Sequence, residues 1–216
     1  MFKKVARSLA TSANLNARYG GRHTAVLIPG DGIGPEMTEH LRNCFRLIQA
    51  PIDFETIDLS GKTYEESEIQ YALTAIKRSG ACIKGNIHTN VLEPGKARNM
   101  RIRTELDLYA NVIHAKSFPG IPTRHKDVDI YLIRENTEGE YSGMEHESVP
   151  GVVESLKIIS RTKCERIARF AFEFAISHDR KKVTAIHKAN IMKQADGLFL
   201  RVCREVSQEY RYFENL

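Results

Sequence analysis

The sequence predicts an α/β protein, and three observations carry that expectation. Short apolar strands alternate with helix-spaced segments along the chain, the order expected when helices cover a sheet. The stretch Pro29–Glu36, PGDGIGPE, joins the first apolar strand directly to the first helix. With 216 residues there is chain enough for one large domain or two small ones.

The elements follow in order. A strand is predicted at Thr24–Ile28, then a helix in which Pro35 occupies the first turn and Met37 to Ile48 have helical apolar spacing. Ile52–Leu59 alternates like a strand. Glu65–Arg78 reads as a helix, with acids in its first turn and bases in its last to complement the macrodipole. A short buried strand at Ala81–Ile83 closes on Gly85, and a helix at Asn99–Leu108 precedes a strand at Ala110–Ala115. After Phe118-Pro119-Gly120 a second unit is expected to begin, with a strand at Val128–Arg134 and hairpin arms at Glu140–Met144 and Val152–Ser160. Thr162, with Glu165 three residues on, suggests a capping box opening a helix to about His178. Lys182–His187 reads as a strand and Gln194–Tyr210 as the last helix.

Charge narrows the partners. The chain carries 32 Lys+Arg and 27 Asp+Glu, yet residues 1–30 hold five bases and no acid. The remainder is therefore balanced, and the basic excess is no argument for nucleic acid. The tail MFKKVARSLATSANLNAR mixes bases with small, apolar and hydroxyl residues, the composition of an organellar import signal. No run approaches the roughly 18 apolar residues of a membrane span. Cys44, Cys82, Cys164 and Cys203 lack C-x-x-C spacing and read as buried reduced thiols, not disulfides or zinc ligands.

Three segments carry chemistry. Arg134–Glu145, RENTEGEYSGME, sets an arginine, an asparagine, a tyrosine and four carboxylates where a strand turns through glycines. A guanidinium there matches a carboxylate ligand, and a phenol can hand over a proton, whereas the bland alternative is an exposed charged hairpin. PGDGIGPE falls one residue short of the dinucleotide fingerprint and fits a tight turn needing positive φ, with Asp31 and Glu36 as loop and helix-start carboxylates. His187–Met192, HKANIM, places a lysine just past a predicted strand.

Together these motifs resemble the β-decarboxylating dehydrogenases of isocitrate and isopropylmalate, from about Gly20 to the last residue. The wording (DLYANV, RENTEGEYSG, ESVPGVVESLKI, VTAIHKANIMK, DGLFLR) is most similar to mitochondrial NAD-dependent isocitrate dehydrogenases, among their gamma-type regulatory subunits. The resemblance implies a three-layer fold: residues 1–20 as transit peptide, 21–118 as the N-terminal part of a large domain, and 119–216 as a small domain. A clasp hairpin would lie at about 140–160. It implies a matrix location, NAD and Mg2+ or Mn2+ for the whole enzyme, a catalytic partner subunit, and ADP as a further ligand. Matched residue by residue, Tyr141 and Lys188 fall on the catalytic tyrosine and lysine. Thr89, Asn99, Arg103, Arg134 and Asn136 fall on ligand-binding positions, and Asn190 lies near the nicotinamide, reached across a dimer.

Departures from the pattern shape the functional expectation. The serine that opens the family's substrate motif is Ala97 here, and the arginine expected after Ala110-Asn111-Val112 is Ile113. Losing one charge-assisted contact costs about 1.5–3 kcal/mol, roughly 10- to 150-fold in affinity, unless Lys116 substitutes. The family also continues beyond the position matched by Phe213–Leu216, toward metal-binding aspartates and the adenine segment. The expectation is thus a shortened form of a protein of about 350 residues. Its degenerate site would bind citrate or isocitrate without turnover, and no metal ligands would come from this chain. A catalytic member with a rearranged site, and a subunit-docking fragment without ligand, are the alternatives.

Overall fold

The computed structural model describes residues 18–61, 66–89 and 98–210. They form two compact units that divide between Leu106 and Asp107.

The first unit is built on a parallel sheet. Its strands are β1 (Arg18–Tyr19), β2 (Arg22–Ile28), β3 (Ile52–Thr56) and β4 (Cys82–Lys84), and its helices are α1 (Gly34–Leu47), α2 (Glu66–Ser79) and α3 (Arg98–Glu105). Strand β2 pairs in parallel with β3 along one edge, His23 beside Ile52 and Leu27 beside Thr56. Its other edge is shared: β1 runs antiparallel to the first half and β4 parallel to the second. Residues Ala25 to Ile28 of β2 are buried, as a strand covered on both faces requires. Val26, Ile28, Ala72, Ala75 and Ile102 share one core with Ile57, Leu59 and Ile87. The strand predicted to reach Leu59 ends at Thr56, and Ile57 and Leu59 pack instead as loop residues. Glu65, Ala97 and residues 1–17, which carried expectations, lie outside the described residues.

The second unit holds β5 (Ala110–Lys116), β6 (Asp129–Glu135), the hairpin β7 (Glu145–Val149) and β8 (Val152–Ser155), and helices α4 (Arg161–Ser177) and α5 (Ala195–Ser207). Strand β5 is paired with β6 along its whole length, Ala110 opposite Glu135 and Lys116 opposite Asp129. Residues 107–118, expected with the first unit, accordingly belong to the second. Helices α4 and α5 pack through Cys164, Ala168 and Phe172 against Val202, Cys203 and Val206. Bidentate Arg169–Glu209 bonds at 2.5 and 2.6 Å and an Arg161–Glu205 bond at 2.7 Å flank that seam.

Four expectations change here. The hairpin arms are shorter and shifted: Glu140–Ser142 is a 3-10 turn between Gly139 (φ 68°) and Gly143 (φ 63°), not a strand. Helix α4 is capped by Ser160, whose hydroxyl accepts from the Lys163 amide, and not by Thr162. The Glu165 of the supposed capping box is replaced by the distant Glu138, which accepts from the Ser160 amide at 2.9 Å. Residues 182–187 are not in a sheet, because no described strand lies against them. Finally, Cys44 is exposed, while Cys164 and Cys203 are buried and Cys82 is intermediate.

Candidate functional site

The candidate residues fall into two constellations, one in each unit. In the first, α3 sets Asn99 and Arg103 four residues apart, on one face. The Asn99 amide donates to the Ile87 carbonyl at 2.9 Å and reaches Thr89 Oγ1 at 3.5 Å. Its oxygen accepts from Lys84 Nζ at 2.8 Å, and Lys84 also donates to the Gly85 carbonyl at 2.7 Å. Lys84 ends strand β4, at the carboxyl end of a parallel sheet, where ligands of open α/β folds bind. Burial pushes the Lys84 ammonium below the ordinary lysine value, and the charge of Arg103 adds to that. Two cations close together without a carboxylate acting on Lys84 favour an incoming anion.

The loops under this constellation are clamped by two residues. Arg98, 6% exposed, donates to the carbonyls of Leu59 at 2.7 Å, Gly61 at 2.5 Å and His88 at 3.3 Å. Asp31 accepts from the amides of Gly61 at 2.9 Å and His88 at 2.8 Å, and these bonds hold its carboxyl below the usual range. Thr89 follows His88 directly and is positioned by this clamp. The glycine loop is a tight turn: Gly30 and Gly32 have φ of 71° and 65°. A Cβ on Gly34 or Gly85 would come within 2.0 or 1.9 Å of the Pro29 carbonyl oxygen. The loop is filled by its own backbone, so it does not fit a dinucleotide pyrophosphate.

In the second constellation Arg134, on β6, lies with its guanidinium 5.1 Å from the centre of the Tyr141 ring. Asn111 is opposite Arg134 in the β5–β6 register, and the side-chain oxygens of Asn111 and Asn136 are buried without a hydrogen-bond partner. Asn136 is fixed by its backbone, which donates to the Tyr109 carbonyl and to Glu135 Oε1. Lys188 and Asn190 are exposed. The Lys188 amide donates to Asp196 Oδ2 at 2.6 Å, and Asp196 also contacts Lys157 Nζ at 3.0 Å. Lys157 in turn reaches Glu140 at 3.2 Å. The relay Glu140–Lys157–Asp196–Lys188 ties the turn bearing Tyr141 to the loop bearing Lys188. Burial works to raise the pKa of Asp196, but the Lys188 amide and the Lys157 ammonium outweigh it and hold it low. Lys157 is correspondingly raised, first through Asp196.

Sequence reasoning missed Lys84, Arg98 and Lys157. A lysine closing a buried strand was a legible signal for Lys84; nothing local marks Arg98 or Lys157, whose partners lie up to 39 residues away. The described residues contain no group of three or more His, Cys, Asp or Glu arranged to hold a metal ion. Glu138, Glu140 and Asp196 are engaged by Lys163 or Lys157, whereas Glu135 accepts through Oε1 from Asn136 and Thr137 and its Oε2 is buried without a partner.

The first unit thus sets cationic side chains at the carboxyl end of its sheet, and the second sets an arginine beside a tyrosine on a strand and turn. The family model of the isocitrate/isopropylmalate dehydrogenases matches residues 24–214, and the chain belongs to that family. It is 58% identical over 205 residues to the mitochondrial NAD isocitrate dehydrogenase gamma subunit of Macaca fascicularis, covering 93% of this chain and 58% of the relative. Against the gamma subunit of Homo sapiens the identity is again 58%, over 52% of that protein. Subunit 1 of the Kluyveromyces lactis enzyme is 51% identical over 210 residues. Among solved structures, the TT0538 protein of Thermus thermophilus matches with a TM-score of 0.87 and 35% identity, over 93% of this chain and 42% of that one. Isocitrate dehydrogenase from Methylococcus capsulatus matches at 0.80 and 36%, over 89% and 59%. The fold is therefore isocitrate dehydrogenase-like, and the chain spans little more than half the length of the curated relatives it matches.

Proposed function

We propose that this chain acts as a regulatory subunit of a mitochondrial NAD-dependent isocitrate dehydrogenase, binding citrate or isocitrate at a degenerate active site. The observation that carries this reading is the exchange of one arginine for Ile113 within an otherwise cationic set. Lys84 and Arg103 supply positive charge within the first unit, and Arg134 supplies it within the second. Ile113, half exposed on β5 opposite Leu132, supplies none. Thr89, Asn99 and Asn136 offer polar side chains to the same class of ligand. Tyr141 and Lys188 stand at the family's catalytic positions, and without the missing arginine and a carboxylate set for the metal they would not complete turnover.

The catalytic work falls to a partner subunit with NAD and Mg2+ or Mn2+, and the relatives' names support a matrix location and a hetero-oligomer. ADP is a further ligand of the assembly in this reading. Docking is assigned to the hairpin: every residue of β7 and β8 is exposed, and Val149 and Val152 are register partners there. Calorimetry with citrate tests the ligand. Saturable binding that Arg134→Ala weakens supports the reading, and unchanged affinity in that variant rejects it. NADH production by the purified chain alone, with isocitrate and Mn2+, would reject the regulatory role.

A further inference from the structure

Contacts across the seam of α4 and α5 advance together along both helices, so the two run in the same direction and their register is fixed. Arg161 pairs with Glu205, and two turns further along α4 Arg169 pairs with Glu209, an offset of 40 residues. Phe172 stacks on Tyr210 with ring centres 5.0 Å apart, an offset of 38. Cys164 and Cys203, which are 39 residues apart, fall in the same register, and it sets one thiol against the other. They share one core and are 4% and 5% exposed. Ala168, one turn past Cys164, is a small side chain that keeps the seam narrow. Ionised Cys164 opposes the ionisation of Cys203, an interaction confined to neighbours. Both thiols are free in this structure.

The two thiols differ in access. Cys164, but not Cys203, lines a cavity of about 160 Å³ with Glu138, Gly139, Lys157, Lys163 and Ile167. The exposed Glu140 and Ile186 stand at the same cavity, which therefore communicates with solvent. That volume takes a few waters or one peroxide molecule, and it is too small for a glutathione disulfide. Burial pushes the Cys164 thiol up to about 11, with the charges of Glu138 and Glu135 adding to it, and pushes Cys203 up to about 12. Cys164 thus holds the larger thiolate fraction and is the sulfur that a small oxidant reaches first. Both thiols stay mostly protonated at neutral pH, so their oxidation is slow.

We propose that Cys164 and Cys203 are a redox modification site, at which a peroxide closes a disulfide between α4 and α5 and a dithiol reductant reopens it. The Cys164 thiolate attacks one peroxide oxygen, the O–O bond breaks, and the departing hydroxide takes up a proton. Cys164 is then a sulfenic acid. The Cys203 sulfur attacks it, the S–S bond forms and the S–O bond breaks, and the hydroxyl leaves with the Cys203 proton as water. Two thiols and one peroxide give one disulfide and two waters. The bond braces the first turn of α4, whose cap Ser160 is held by Glu138, against α5, whose first turn carries Asp196 beneath the Lys188 amide. Neither step depends on citrate.

The test uses the Cys44→Ser chain, so that the exposed thiol consumes no oxidant. The native chain is treated with hydrogen peroxide at neutral pH and quenched, free thiols are alkylated under denaturing conditions, and peptides are mapped without reduction. The expected product is a Cys164–Cys203 peptide pair, in about tenfold excess over any pair containing Cys82, that dithiothreitol abolishes. The oxidised chain should unfold at a higher urea concentration than the reduced one, because the closed loop constrains the unfolded ensemble. In Cys203→Ala, peroxide should leave Cys164 as a sulfenic acid that dimedone labels, and in Cys164→Ala, Cys203 should stay a thiol about ten times longer. If either alanine variant fails to fold, the linkage map and the midpoint of the Cys44→Ser chain decide. Persistence of both thiols, linkage through Cys82, a disulfide that forms only in urea, or a lowered midpoint on oxidation would each overturn the proposal.

Discussion

Lys157→Met isolates the relay that joins the Tyr141 turn to the Lys188 loop. The substitution keeps the side-chain length and removes the ammonium that Asp196 and Glu140 share. Side-chain exposure is 27% for Lys157 and 11% for Asp196, so the pair lies between a surface bridge, at about 0–1 kcal/mol, and a broken buried pair, at about 3–5 kcal/mol. Glu140, 74% exposed, adds little. The expected loss is about 2 kcal/mol, or about 8–15 °C in the melting of a unit this size.

The pH dependence carries the sign. Asp196 is held below its ordinary value, so its contribution is present above about pH 4 and fades as pH falls through its folded value. Lys157 is raised, so its contribution is present below its unfolded value and is lost as pH rises through the folded one. The full difference between wild type and variant should therefore hold from about pH 5 to 9 and narrow in acid. Hydrogen exchange of α4 amides reads the opening free energy of this unit alone, and Lys157→Arg should recover at least half of the loss. A difference under about 0.5 kcal/mol at neutral pH would show that solvent screens the relay and that it positions nothing.

Further outcomes follow from the same geometry. A thiol reagent at about pH 8 should modify Cys44 rapidly and the other three only on unfolding, because burial pushes Cys82 and Cys164 up to about 11 and Cys203 up to about 12; two or more fast thiols in the native chain contradict this. Gly85→Ala should cost about 2–3 kcal/mol in urea unfolding, since its Cβ would meet the Pro29 carbonyl, and a neutral result would reject the close-packed loop. Citrate affinity should decline as pH rises through the lowered pKa of Lys84, earlier than for a free lysine, and Lys84→Met should flatten that decline and weaken binding about tenfold. Calorimetry from about pH 6 to 10 measures both, and a profile unchanged by Lys84→Met removes Lys84 from the site.

The elements that sequence periodicity placed well are those whose stability is local or whose burial is symmetric. Strand β2 and helices α1 and α2 match their predicted spans to within about two residues, helped by Pro35 at the first turn and by the charge order of α2. The failures share a physical cause, which is that a strand or cap is defined by a partner the local pattern does not contain. Residues 182–187 have the composition of a strand and lack a neighbour among the described residues. Ser160 wins the cap over Thr162 because Glu138, 22 residues earlier, satisfies its amide. The site was legible where function fixes residue types in short motifs, as in Arg134 with Tyr141. It was illegible where positioning runs through Arg98 and Lys157.

The position of Ile113 decides how far another residue of β5 could supply the charge that the proposed degenerate site lacks. Successive side chains of a strand point to opposite faces. Ile113 lies on the face of Asn111, Leu132 and Arg134, its partners and neighbours in the register. Lys116, the candidate substitute, is three residues on and therefore projects from the other face, opposite Asp129 and beside His114, which stacks on Tyr131. Reaching Arg134's face would require the lysine to pass through the sheet or the strand to slip by one residue. A slip would also break the His114–Asp129 contact at 2.8 Å and turn Asn111 away from Arg134. Lys116 therefore brings no charge to the face of Ile113. If Ile113→Arg confers tighter citrate binding by about tenfold or more, while Lys116→Met changes nothing, the degeneracy is local to this one position. If Lys116→Met abolishes citrate binding, the register argument fails and with it the reading of Ile113 as the residue that retired the site.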